Sequence, residues 1–147
     1  MNLERYPYSV SNDFQDYSFY SDGPKGKIKK TVLYIKIREK PIIYNIAFGD
    51  VDPETGEIND DIISNNSDMD IVLATVANTI HDFSDRYGNH YIFATGSNRV
   101  RTRLYQINIS RLLDEISIDF EVYGVIGDQQ YKFQRNVNYD GFLVKRK

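Results

Sequence analysis

The sequence predicts a single α+β domain, with one largely antiparallel sheet and two main helices packed on it. Segments rich in β-branched and aromatic residues precede and follow a middle region in which apolar residues recur with helical spacing. The resulting order of strands, helix, strand, helix and strands is typical of one sheet covered by helices. A length of 147 residues suits one hydrophobic core, so we expect one domain over residues 1–147.

Three strands are predicted in the N-terminal part of the chain. Each is rich in β-branched or aromatic residues and is bounded by a turn that contains Gly or Pro. In the second strand, Leu33, Ile35 and Ile37 occupy alternate positions and therefore share one face. The predicted strands cover residues 14–21, 27–37 and 42–48, and the predicted turns cover residues 22–26, 38–41 and 52–56.

A helix is predicted from about Asp68 to Tyr87, because apolar side chains recur there three or four residues apart. Ser67, followed by Asp70, resembles a capping box, which predicts Ser67 as the N-cap. Gly88 is a natural terminator, since glycine adopts positive φ without steric cost. The apolar stripe consists of Met69, Val72, Val76, Ala77, Ile80 and Phe83.

A short strand at residues 90–95 precedes a second helix, which begins near Arg99. Two apolar stripes lie on opposite sides of this helix, so it is either buried on two sides or interrupted near Asn108. The stripes are Val100, Leu104 and Ile107, and Tyr105, Ile109, Leu112 and Ile116. Strands at 120–126, 131–133 and 141–144, with a loop at 136–140, complete the predicted fold.

Composition excludes several classes of site. The chain has no Cys, which removes disulfides, thiolate metal sites and Cys nucleophiles. Its two histidines lack ligand-like spacing, and no hydrolase, Walker or Rossmann pattern is present, so we expect no metal and assign no catalytic residue. With no apolar leader and no run approaching the about 20 apolar residues of a membrane helix, we expect a cytoplasmic protein without membrane contact.

The segment Asp50, Asp52, Glu54 and Asp61 partly follows the spacing of a calcium-binding loop. The glycine required at the sixth position is missing, and Asp61 stands where a bidentate Glu is expected. A hairpin turn at Asp52–Gly56 explains the segment better, since Pro53 fixes φ early and Gly56 permits positive φ late.

The strongest candidate site is the turn from the short strand into the second helix. Backbone amides at a helix N-terminus attract phosphate or carboxylate, and the planar arginine side chain binds phosphate oxygens bidentately. Arg99 and Arg103 share a helical face, whereas Arg101 projects elsewhere. The predicted anion-binding residues are Gly96, Ser97, Arg99, Arg101 and Arg103. The alternative is that Gly96 turns the chain, Ser97 or Asn98 caps the helix, and the arginines are solvated or paired with acids.

A secondary basic row consists of Lys25, Lys27 and Lys29, which alternate and would share one face of a strand. The row could form half of an anion-binding groove, or it could protect a sheet edge against aggregation. Binding of a single-stranded nucleic acid would also require exposed aromatic residues beside it, such as Tyr17, Tyr20 or Tyr34.

Several segments resemble a family of small bacterial proteins of unknown function. They are Gly23 to Lys30 (GPKGKIKK), Val72 to Ala77 (VLATVA), Ala94 to Ser97 (ATGS) and Arg101 to Gln106 (RTRLYQ). The resemblance covers the chain from about Tyr17 to its end and implies no activity or cofactor. Similar proteins have Thr-Pro where this chain has Asn98-Arg99, which agrees with a helix start there, because proline is typical of the first helical position.

Three functions are compatible with these features. The first is a binding module for an anion, either a nucleotide or a nucleic-acid phosphate. The second is a protein-interaction component of a toxin–antitoxin or defence-type operon, with a protein partner. The third is a transferase using a phosphate-bearing cofactor at the same helix start, a possibility that rests on fold-level analogy.

Overall fold

The computed structural model describes residues 3–59 and 66–147. Those residues form helices and a mixed, mostly antiparallel sheet, which confirms the predicted α+β class. The strands are β1 Ser9–Val10, β2 Asp16–Gly23, β3 Gly26–Glu39, β4 Ile42–Val51, β5 Ile58–Asn59, β6 Tyr91–Ala94, β7 Phe120–Ile126, β8 Gln129–Lys132 and β9 Gly141–Arg146. The helices are α1 Met69–Tyr87, α2 Arg99–Arg111 and α3 Leu113–Asp119.

The strands are hydrogen-bonded in the order β1-β2-β3-β4-β6-β9-β7-β8, and β5 pairs with β4. The β4–β6 pairing is parallel and aligns Tyr44 with Ile92. The hairpins β2–β3 and β7–β8, together with the pairs β6–β9 and β7–β9, are antiparallel. β1 and β5 escape prediction because two residues carry no alternating pattern.

The residues cluster into two compact units. Unit 1 consists mainly of Lys36–Asn45 and Asn89–Lys147, and unit 2 consists of Asn2–Ile35 and Ile46–Gly88. β3 and β4 each contribute residues to both units. The single domain over residues 1–147 stays a prediction.

In unit 2, aromatic residues of β2 and β3 form the buried core. Tyr17 pairs with Val32 across the hairpin, and both are 0% exposed. Tyr34 of β3 stacks on Phe83 of α1, with ring centroids 4.2 Å apart. Leu33 and Ile35 therefore share the opposite face of β3, where Ile35 is 50% exposed, because alternate strand residues point to opposite sides. Packing of both main helices on the sheet remains a prediction.

α1 ends at Tyr87 as predicted and begins at Met69, one residue later than predicted. Asp68, not Ser67, is the N-cap, and its side chain makes no capping hydrogen bond. The carboxylate of Asp68 instead accepts hydrogen bonds from Ser21 Oγ at 2.5 Å and Tyr6 Oη at 2.6 Å. The prediction for Ser67 was wrong because Ser67 has a φ of 61°, in the left-handed region, whereas an N-cap residue is typically extended. Gly88 ends α1 at φ 97°, as predicted.

The second predicted helix is interrupted at Leu112, four residues beyond Asn108. Asn108 remains helical because its carbonyl accepts the Leu112 N–H at 3.1 Å. α3 then begins with Asp114 and Glu115 in its first turn, where acidic side chains are favoured by the helix dipole. The interruption near Asn108 was therefore the better of the two alternatives, but its position was wrong.

Candidate functional site

The turn between β6 and α2 contains Gly96, where a larger residue would collide with the start of α2. The Gly96 N–H donates to Thr102 Oγ1 at 3.0 Å. A Cβ at Gly96 would lie 2.4 Å from the Thr102 nitrogen and 2.6 Å from Arg101 Cβ. Gly96 thus allows the turn to pack closely on the first turn of α2, and its amide bonds within the protein.

Gly96→Ala is expected to lower the free energy of unfolding by about 1–3 kcal/mol, because the added methyl group overpacks the helix start. Urea denaturation followed by circular dichroism measures this loss. Val100→Ala, at a 67% exposed position of α2, is the control and should change the free energy by less than about 0.5 kcal/mol. Equal stability of Gly96→Ala and the native chain would contradict the packing role of Gly96.

Asn98 is the N-cap of α2. It is extended, with φ −150° and ψ 175°, and its Oδ1 accepts the Arg101 N–H at 2.9 Å. Its carbonyl accepts the Thr102 N–H at 3.1 Å. The side-chain amide therefore satisfies one of the helix amides that the sequence offered for an anion.

The three predicted arginines have different environments. Arg101 is 5% exposed, and its Nη2 donates to Tyr105 Oη at 3.3 Å. Arg99 and Arg103 are both exposed, and Arg103 Nη1 donates to Asn138 Oδ1. The predicted face shared by Arg99 and Arg103 is present, whereas Arg101 is buried beside its own helix.

A loop over residues 133–140 runs along α2 and brings a further arginine, Arg135, to its surface. Gln106 fixes the middle of this loop: its Nε2 donates to the Val137 carbonyl, and its Oε1 accepts the Tyr139 N–H at 3.2 Å. Arg135 Nε donates to the Ser110 carbonyl at 3.0 Å. Sequence reasoning missed Arg135, since no local pattern indicates which helix a loop residue will approach.

We name the resulting exposed surface the arginine face. Its members are Arg99, Arg103, Arg111 and Arg135. α2 itself contains no acidic residue. Arg135 lies 3.7 Å from Asp114, but both side chains are largely exposed, and such ion pairs contribute little. The arginine face therefore combines four guanidinium groups with the exposed carboxylate of Asp114.

Charge is divided unequally between the two units. Residues 36–45 and 89–147 contain twelve Lys and Arg and seven Asp and Glu, a net charge of +5. Residues 2–35 and 46–88 contain six basic and fourteen acidic residues, a net charge of −8. The overall charge of −3 is therefore the sum of a basic and an acidic unit, and the basic unit contains the arginine face.

The predicted lysine row is only partly formed. Lys27 and Lys29 are exposed on one face of β3, but Lys25 lies in the preceding turn, where its N–H donates to Asn66 Oδ1 at 2.7 Å. The expected alternation fails because the hairpin reverses at residues 24–25. Of the three tyrosines considered, Tyr20 is 54% exposed opposite Lys29, whereas the other two are at most 1% exposed.

The calcium-like segment forms a turn. Asp52 Oδ1 accepts the Glu54 N–H at 2.8 Å, and the Asp52 carbonyl accepts the Gly56 N–H at 2.8 Å. Asp50 binds Lys30, while Asp61 lies outside the described residues. Over residues 3–59 and 66–147, no group of three or more His, Asp or Glu side chains is arranged to hold a metal ion.

Comparison with known proteins identifies a family for the chain. A model of a protein family whose function is unknown matches residues 2–147. No curated protein and no solved structure matches the chain significantly. Among the helices of the described residues, none has the length and apolar character needed to cross a membrane.

Proposed function

The chain belongs to the family of unknown function DUF6934, and we propose that it is a nucleic-acid-binding module whose arginine face contacts backbone phosphates. The family carries no assigned activity, so the proposal depends on the geometry and charge of unit 1. The observation that carries it is the exposure of Arg99, Arg103 and Arg111 along a helix that contains no acid.

Arginine suits this role because its planar side chain pairs with phosphate oxygens through two parallel hydrogen bonds. At 1.5 Å per residue, α2 from Arg99 to Arg111 is about 18 Å long. Along the axis of a duplex, one strand rises about 3.4 Å per nucleotide, so α2 matches the axial length of about five nucleotides. A positive face of this length favours a polymer with regularly spaced charges.

The distribution of the arginines favours a polymer over a single nucleotide. Arg101 is buried beside Tyr105, and the Gly96 amide is bonded to Thr102, so these residues shape the start of α2. Arg99 and Arg103 make the proposed contacts, and the exposed Ser97 completes the contact to one phosphate at the positive end of the helix. In this proposal Gly96 and Arg101 shape the start of α2 and do not themselves contact the phosphate.

A second candidate function is binding of an acidic protein segment to the same helix. Val100 and Ile107, seven residues apart, are 67% and 51% exposed between the arginines. Exposed apolar side chains at such spacing, bordered by arginine, are typical of protein interfaces. This alternative predicts that Val100→Ser/Ile107→Ser weakens a partner's binding, whereas phosphate contacts would tolerate both changes.

The test is fluorescence anisotropy with labelled single-stranded and duplex oligonucleotides over a range of salt concentrations. If all four arginines contact phosphates, the logarithm of the duplex association constant should fall with the logarithm of salt concentration at a slope of about −3.6, or about −0.9 per contact. Arg99→Gln/Arg103→Gln should bind every sequence more weakly and bring the slope to about −1.8, because two contacts are lost.

Lys27→Gln/Lys29→Gln is the matched control, since it removes two exposed positive charges from unit 2 instead of unit 1. Its salt dependence should equal that of the native protein. Absence of binding by the native chain at low salt would overturn the proposed function. Equal weakening by the two double variants would show that overall charge, and not the arginine face, governs binding.

A further inference from the structure

The strands of unit 1 place three aromatic side chains on one face of the sheet. Tyr91 and Phe93 alternate along β6 and so point to the same side. Phe93 and Tyr123 both pair with Leu143 of β9, which puts them on the same side as each other. We name this surface the aromatic sheet face, defined by Tyr91, Phe93 and Tyr123.

α2 and the 133–140 loop lie on the other side of these strands. Gly124, next to Tyr123, faces that other side, where a Cβ on it would lie 2.2 Å from the Tyr139 ring. The Tyr139 N–H in turn donates to Gln106 of α2. The aromatic sheet face is therefore a surface distinct from the arginine face, although both belong to the basic unit.

The aromatic rings are arranged so that parts of them remain accessible. Each of the three side chains is partly exposed, and the Tyr91 and Tyr123 rings meet edge to face with centroids 6.1 Å apart. Leu143, 8% exposed, lies between Phe93 and Tyr123 on the same face of the sheet. Partial burial, followed by the nearby Glu121 and Tyr91, raises the pKa of Tyr123, so its phenol stays neutral at physiological pH.

Polar groups surround the rings. Lys145 Nζ lies 5.1 Å from the centre of the Tyr91 ring, and Lys132 is exposed in register with Tyr123. Asn45 of β4 pairs with Phe93 and is partly exposed, so its amide can hydrogen-bond a base edge. At the end of the same face, Gly141 leaves room for the Phe93 ring, since a Cβ there would lie 2.7 Å from it.

We propose that the aromatic sheet face stacks unpaired bases of a single-stranded nucleic acid, with Tyr91 and Tyr123 as the principal platforms. The inference rests on the proposed nucleic-acid function and assigns its substrate class. Sheets that present aromatic rings typically stack two or three bases of a single strand, and neighbouring cations neutralise the phosphates. A duplex keeps its bases stacked inside, so this face discriminates between the two forms.

The first experiment compares the affinities of a single strand and its duplex by fluorescence anisotropy. Tyr91→Leu and Tyr123→Leu keep an apolar side chain but remove the stacking ring, and each should weaken single-strand binding by at least about fivefold. Neither should change duplex binding. Tyr91→Phe and Tyr123→Phe retain the ring and should bind the single strand as the native chain does. Thermal unfolding of each variant checks that the fold is kept.

The second experiment uses a direct reporter of contact. The chain contains no Trp, so Tyr123→Trp introduces its only tryptophan. A single strand that stacks on this position should quench the tryptophan fluorescence, and the duplex should not.

The outcomes separate this inference from the proposed function. If arginine variants weaken binding while leucine variants bind both forms as the native chain does, the stacking inference fails and the phosphate contacts stand. The stacking inference likewise fails if the fluorescence of Tyr123→Trp is not quenched when the single strand is bound. If the native chain binds neither form, both proposals fail.

Discussion

Asp50→Ala is expected to lower the free energy of unfolding by about 3–5 kcal/mol, which is the usual cost of removing one partner of a buried ion pair. Lys30 Nζ lies 2.5 Å from Asp50 Oδ1, and the two side chains are only 6% and 14% exposed. The Lys30 ammonium also lies 5.7 Å from the centre of the Phe48 ring. Without Asp50, this ammonium would keep the ring contact but lose its nearby carboxylate.

Urea denaturation of three variants tests the assignment. Lys30→Met/Asp50→Leu should recover most of the lost stability, because apolar side chains of similar volume can replace a buried pair without a desolvation cost. Glu39→Ala removes the partner of Lys36 in a pair at 3.6 Å whose side chains are 40% and 76% exposed, and should cost less than about 1 kcal/mol. A similarly small loss in Asp50→Ala would contradict the importance of the buried pair.

Local patterns predicted most strands and the C-terminal end of α1. Aromatic and β-branched residues on either side of a turn that contains Gly indicate the β2–β3 and β7–β8 hairpins, because these signals depend on neighbouring residues alone. The sequence could not show which face of β3 is buried, since Tyr34 and Ile35 are both apolar. That choice depends on Phe83 of α1, about fifty residues away along the chain.

In the candidate site, too, local spacing predicted some features, whereas contacts between distant residues determined the others. Helical spacing correctly separated Arg99 and Arg103 from Arg101, because that depends only on the turn angle of a helix. Burial of Arg101 and the approach of Arg135 to Ser110 depend on how the 133–140 loop lies along α2. The sequence offered both Ser97 and Asn98 as caps. Asn98 is the N-cap, with an extended backbone that no sequence pattern indicates.

Phe83→Ala is expected to lower the free energy of unfolding by about 3–5 kcal/mol, the range for removing a fully buried phenylalanine from a core. Phe83 is 1% exposed and lies between two rings, with centroid distances of 4.2 Å to Tyr34 and 4.6 Å to Tyr87. The loss combines the transfer of the ring to water in the unfolded chain with the cavity left between the two tyrosines. Urea denaturation monitored by circular dichroism measures it.

The same variant tests the prediction that α1 packs on the sheet. If Phe83 joins α1 to β3, its removal should also loosen the hydrogen bond between Tyr34 Oη and Thr79 Oγ1, which are 2.8 Å apart. Amide hydrogen exchange should then accelerate in both α1 and β3, because the two elements would lose their shared contact. Tyr20→Ala, which removes a 54% exposed ring from β2, should leave exchange in α1 unchanged. Faster exchange confined to α1 would show that the helix gains its stability from contacts other than those with β3.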